Sequence, residues 1–178
     1  MNLKKSPCLV TPSLCLNAIT DRDADDFIRM FLDPEIAETY MIPVFRCRED
    51  ALRLFRVFRD LSAREDRLVY GIFLEGRCIG FLNDVELTED HVEMGYVIHP
   101  EYKNKGFATE AFIALIQEAF RLGFPSVRAG AFEENRASTR VMEKCGLARI
   151  PPTEEIEYRG KIHHCVCYEI TNPSMKER

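Results

Sequence analysis

The stretch from Val92 to Thr109, VEMGYVIHPEYKNKGFAT, constrains the fold of this chain more than any other. An apolar, β-favouring run passes through a Pro-containing turn into Lys-Asn-Lys-Gly-Phe-Ala, and a helical pattern follows at once. That order sets a loop of backbone amides directly at a helix N-terminus. The first amides of a helix have no partner within it, and the helix dipole adds positive charge, so an anion is stabilised there. The loop comprises Lys103, Asn104, Lys105, Gly106, Phe107, Ala108 and Thr109. Gly106 lets a ligand approach the backbone without meeting a Cβ. A phosphate-bearing ligand is therefore expected. The loop is neither the long nucleotide loop with a Lys-Ser/Thr pair nor Gly-x-Gly-x-x-Gly, which disfavours ATP, GTP and dinucleotides.

The rest of the chain gives that loop its setting. At 178 residues a single domain with a proper core is expected. A net charge of −5 argues against nucleic acid as a partner, while Lys103 and Lys105 still set a local positive field. Seven scattered cysteines, an odd number, fit a reduced, cytoplasmic compartment better than a disulfide framework. No apolar run approaches the roughly 20 residues that span a membrane, so no membrane association is expected. Residues 1–8 read as a flexible N-terminus, 9–171 as the domain and 172–178 as a C-terminal tail.

Along the chain, Leu14 to Ile19 alternates as a first strand. Thr20-x-x-Asp23 resembles a capping box opening a helix that Asp33-Pro34 stops. Residues 35–47 are ambiguous. Arg48 to Arg64 is a helix whose Arg53, Arg56 and Arg59 form either a solvated face or a docking surface for an acidic partner. Leu68 to Leu74 and Cys78 to Glu86 form a hairpin around Glu75-Gly76-Arg77, and His91 to Ile98 returns as a third strand. A helix from Gly106 to Leu122, a strand from Ser126 to Phe132, a helix from Arg136 to Lys144 and two closing strands complete the order β-α-α-β-β-β-α-β-α-β-β. This implies a mixed α/β sheet with helices on both faces.

Gly106 and Ala108 in the loop after a strand resemble the Gln/Arg-x-x-Gly-x-Gly/Ala pattern of the Gcn5-related N-acetyltransferase (GNAT) superfamily. Lys103 stands where Gln or Arg is usual. Glu93-Met94-Gly95-Tyr96, Glu134-Asn135-Arg136-Ala137-Ser138 and Glu143-Lys144-Cys145-Gly146-Leu147 extend the resemblance to the RimJ/RimL-like branch, over roughly residues 10–170. The resemblance implies the GNAT-like acyl-CoA fold, acetyl-CoA as acetyl donor, and direct transfer to an amine. The acceptor would be a protein N-terminus or a small molecule. Separately, an exposed strand edge or apolar helix face would support a dimer, so a monomer or homodimer is expected.

The resemblance also distributes roles. The amides of Lys103–Thr109 would hold the pyrophosphate. Those of Tyr96, Val97 and Ile98 would hold the pantetheine arm and the thioester carbonyl, where an oxyanion donor is worth a few kcal/mol; Val97 and Ile98 read equally as core. Asn135 is either a helix N-cap or a contact to the pantetheine amides. Many members carry a Tyr seven residues after that Asn to protonate the thiolate. Here the position is Met142, so the acid role passes to Ser138 or to water, or is dispensable. Glu93, sharing a strand face with Gly95 and Val97, is the candidate general base; a strand-end ion pair is the alternative. His163, Cys165 and Cys167 share one strand face, but three ligands on one strand make a poor tetrahedral metal site, and none is expected. A non-catalytic acyl-CoA-binding module is the rival function that Met142 keeps open.

Overall fold

Alternation along one central strand sorts the helices into two layers. The computed structural model describes residues 3–45 and 47–175. In chain order the elements are β1 (Cys8–Val10), β2 (Cys15–Asn17), α1 (Ala24–Phe31), α2 (Pro34–Thr39), α3 (Arg48–Ser62), β3 (Tyr70–Leu74), β4 (Arg77–Leu87), β5 (Val92–Ile98), α4 (Phe107–Arg121), β6 (Ser126–Phe132), α5 (Arg136–Lys144), β7 (Ala148–Tyr158) and β8 (Lys161–Thr171). The strands form one open sheet in the order β1-β2-β3-β4-β5-β6-β8-β7. Among the described residues only the β5–β6 pair is parallel.

On β5, Val92, Met94 and Ile98 enter a core shared with α4 and α5, while Val97 enters a second core shared with α1, α2 and α3. The first core is mostly aliphatic under α4, with Ala111, Phe112, Leu115 and Ala119 fully buried. The second is aromatic. The ring of Phe27 lies 5.7, 5.6 and 5.4 Å from those of Phe31, Phe55 and Phe81. Such clusters combine large buried area with edge and offset contacts.

Several local expectations meet their cause here. Asp23 accepts from the Thr20 N–H (2.7 Å) and from Thr20 Oγ1 (2.8 Å), as the reciprocal half of a capping box requires. Asp33-Pro34 ends one helix and starts another. Pro34 opens α2, and Asp33 Oδ1 accepts from the amides of Glu35 (2.9 Å) and Ile36 (3.1 Å). The ambiguous segment thus begins as a capped helix. On α3, Arg59 pairs with Asp21 and Asp60, and Arg53 with Asp50, so two of the three arginines are engaged within the chain.

Both ends of the domain are described in part. Residues 1, 2 and 176–178 lie outside the described residues. Residues 3–8 are held. Leu3 is buried, the Lys5 ammonium donates to Ser62 O (2.6 Å) and Val69 O (2.8 Å), and Cys8 opens the added strand β1. Burial pushes the Lys5 pKa down to about 8. Asn172 is also buried and donates to Phe124 O (3.2 Å). These partners are 48 to 64 residues away in sequence, beyond the reach of local pattern.

Candidate active site

The cleft originates in a failure of pairing. β5 and β6 pair only at Val92↔Val127 and Glu93↔Arg128. Beyond that point β5 stays with β4 as far as Ile98, while β6 follows β8 as far as Phe132. The strands part, and a cleft of about 510 Å³ opens between them. Tyr96, Val97 and Ile98 line it from β5, and Gly130 and Ala131 from β6. The His99 N–H donates to Ile79 O (2.8 Å) beside β4. Strand alternation therefore turns the backbone groups of Tyr96 and Ile98 the other way, toward the opening.

At the mouth lies the loop before α4. Gly106 caps the helix with φ 87°, and Asn104 also has positive φ, 61°. Glycine is suited to that conformation, and nothing lies within 4 Å of where a Cβ on Gly106 would be. The amides from Lys105 to Thr109 donate to no described residue. They form the exposed donor set that an anion needs. Lys103 lines the cleft and pairs with Glu35 of α2. Lys105 is not in the lining; its ammonium sits 5.3 Å from the Tyr102 ring centroid.

Across the mouth, α5 starts at Asn135, whose Oδ1 accepts from the Ser138 N–H (3.1 Å). The capping reading of Asn135 therefore holds, and its amide nitrogen is left over for a ligand. Ser138 Oγ lies 2.8 Å from the Tyr96 hydroxyl, which also donates to Ser138 O (3.0 Å). Met142 is fully buried in the core beneath.

An acetyltransferase (GNAT) domain model matches residues 13–148 of the chain. The chain belongs to that family. It is an acyltransferase whose acetyl donor is acetyl-CoA. It is 28% identical over 173 residues to the uncharacterized N-acetyltransferase YoaA of Bacillus subtilis (strain 168), covering 94% of this chain and 98% of the relative. Its fold is similar to that of RimL, the ribosomal L7/L12 alpha-N-protein acetyltransferase, in complex with coenzyme A. The TM-score is 0.82 at 17% identity, over 92% of this chain and 97% of that one. It is also similar to the microcin C7 self-immunity acetyltransferase MccE, in complex with acetyl-CoA and AMP. There the TM-score is 0.80 at 16% identity, over 94% and 98%. At these identities the structural likeness speaks for the fold.

The acetyltransferase cleft thus gathers Tyr96, Val97, Ile98, Lys103, Asn104, Gly106, Phe107, Ala108, Thr109, Asn135 and Ser138, leaving out Lys105 and Glu93. Glu93 stands at the last β5–β6 pair, opposite Glu86 of β4 and beside Gly130; its Oε1 lies 3.4 Å from where a Cβ on Gly130 would be. It accepts no hydrogen bond from a described residue. Burial, then the Glu86 carboxylate, raises its pKa above the usual glutamate range. The strand-end ion-pair alternative has no direct partner here; Arg128 is instead bonded to Glu169 at 2.8 Å.

The sequence reading of this acetyltransferase missed two groups. Arg140 and Lys144, one helical turn apart on α5, line the cleft and bring positive charge to it. Their i, i+4 spacing after Asn135 was the available signal. Tyr40, after α2, also lines the cleft and donates to Asn83 Oδ1. A Cβ on Gly95 would meet the Tyr40 hydroxyl at 2.9 Å, so the glycine makes room for the phenol. Tyr158 donates to Ala37 O (2.8 Å), with Tyr40 O and Ile42 O at 3.3 Å, tying the β7–β8 hairpin to the end of α2. His163, once weighed as a metal ligand, stacks on Phe132 (centroids 4.2 Å apart) and pairs with Glu134.

Proposed function

We propose that this acetyltransferase moves the acetyl group of acetyl-CoA directly to the primary amine of a protein N-terminus, in the manner of the RimJ/RimL-like branch, in the cytoplasm. The amides of Lys105–Thr109, with Arg140 and Lys144, take the phosphates. The backbone groups of Tyr96 and Ile98 hold the pantetheine arm. The Asn135 amide nitrogen adds a donor to it, and Ser138 stands beside the departing sulfur. Glu93 takes the amine proton, directly or through one water, and its raised pKa makes it a stronger base than an ordinary glutamate.

The observation that carries this reading is the splayed β5–β6 pair, with free amides at its mouth and an unbonded carboxylate at its apex. Support for a protein acceptor comes from the likeness to RimL and from the half-exposed β8 and largely exposed β7, which leave room for an extended chain. Among the described residues no helix is long and apolar enough to cross a membrane.

Calorimetric titration with acetyl-CoA, with ATP and NAD as controls, tests the donor. Micromolar binding of acetyl-CoA alone is expected. A panel of unblocked peptides set against free amino acids, polyamines and antibiotic-like amines tests the acceptor. Turnover confined to small amines would overturn the N-terminal reading.

A further inference from the structure

Met142 offers the leaving sulfur no hydrogen-bond partner. Met142 is fully buried and carries no donor proton. Three tyrosines line the cleft, Tyr40, Tyr96 and Tyr102, and it is the Tyr96 hydroxyl that bonds a residue of α5. The Tyr96 ring packs against Phe112 with centroids 5.0 Å apart, and its hydroxyl reaches across the wedge from β5 to α5. There it donates to Ser138 O (3.0 Å) and lies 2.8 Å from Ser138 Oγ. A phenol has one proton. With that proton on Ser138 O, the Ser138 hydroxyl is the donor in the second contact.

We infer that the Tyr96 hydroxyl is the hydrogen-bond donor to the departing CoA thiolate and that Ser138 is its positioning residue. The inference rests on the acetyl-transfer reading above. The amine nitrogen bonds to the thioester carbonyl carbon, the C–S bond breaks, and the electron pair leaves on sulfur. The amine proton goes to Glu93. The phenol turns its O–H from Ser138 O to the sulfur while Ser138 Oγ–H continues to donate to the phenol oxygen. A chain of two donors polarises in one direction and strengthens its last member. Burial raises the Tyr96 pKa above the ordinary phenol value, so the proton stays on oxygen and the phenol stabilises charge without surrendering it. The thiolate then takes its own proton from solvent after release.

The test compares CoA with desulfo-CoA, which differs only at the sulfur. Their affinities are measured by calorimetry from pH 7 to pH 9.5. In the native protein the preference for CoA should grow with pH as the bound thiol ionises. Tyr96→Phe keeps the ring and its packing. It should flatten that growth and lower kcat by about tenfold to a hundredfold, the scale of a hydrogen bond to a charged group. Ser138→Ala should give a smaller change of the same sign. An unchanged CoA preference and kcat in Tyr96→Phe would overturn the inference and leave the acetyl-transfer reading standing. Equal loss of CoA and desulfo-CoA affinity would also overturn it, assigning the hydroxyl a packing role. Failure of the native protein to bind either compound would overturn both.

Discussion

The walls proposed for the cofactor and for the acceptor are built from different parts of the chain. The cofactor wall is mostly backbone: the strand edge at Tyr96 and Ile98, the amides after Lys103, and the start of α5, all between residues 96 and 144. The proposed acceptor side is side chains from distant elements: Tyr40, which lines the cleft after α2, and, beyond the lining, Asn83 on β4, Glu93 on β5 and Tyr158 at the end of β7. A backbone wall is set by geometry and tolerates many side chains. A side-chain wall can change its substrate by single substitutions. The two should therefore respond separately, with mutations in one moving acetyl-CoA affinity and mutations in the other moving the amine.

The largest separation is expected at Glu93. Glu93→Gln should lower kcat by about 10²–10⁴-fold, with acetyl-CoA affinity unchanged by calorimetry. The pH profile gives the sign. A base must be deprotonated to act, so kcat/KM should fall as pH drops through the raised Glu93 pKa, with its inflection above the usual glutamate range. The variant should lose that inflection.

Gly95→Ala probes the acceptor wall sterically. The new Cβ would lie 2.9 Å from the Tyr40 hydroxyl and 3.1 Å from Asn83 Oδ1. Overpacking of this kind costs about 1–3 kcal/mol. It should raise KM for the amine and lower the melting temperature. If acetyl-CoA affinity drops just as far, the two walls are not separable.

On the opposite wall, Gly106→Ala meets no steric obstacle but places a Cβ at φ 87°. The strain is about 1–2 kcal/mol. Acetyl-CoA should bind roughly tenfold more weakly, with the amine KM unmoved. The smallest effect is expected from Tyr158→Phe, which releases the hairpin from Ala37 O. Loss of about 1 kcal/mol should raise the amine KM about fivefold, measured by steady-state kinetics.

The same contrast explains what was legible in the sequence. A loop that binds through its amides must carry Gly106 at the turn, small residues after it and a helix directly behind, so the pattern appears in consecutive letters. Ser126–Phe132 and Arg136–Lys144 were legible because periodicity and caps are local as well. Tyr40 was not, because its role depends on the absence of a Cβ at Gly95, 55 positions away. The contacts of the N-terminal segment were hidden for the same reason. Lys5 looks like an exposed lysine until Ser62 and Val69 offer it their carbonyls. Glu93 was visible as a residue, while its lack of a hydrogen-bonding partner was not, since that depends on Arg128 having chosen Glu169.

The parting of β5 from β6 leaves the protein with an incomplete sheet at its centre. Backbone groups that a neighbouring strand would have satisfied stay open over Tyr96 and Ile98. A ligand carrying amides of its own can serve there as a surrogate strand, and its arrival finishes a ladder that the chain left unfinished. On the proposed reading, donor binding is the last step of assembly. It should slow amide hydrogen exchange across residues 95–98 and raise the melting temperature with donor concentration, before any amine is present.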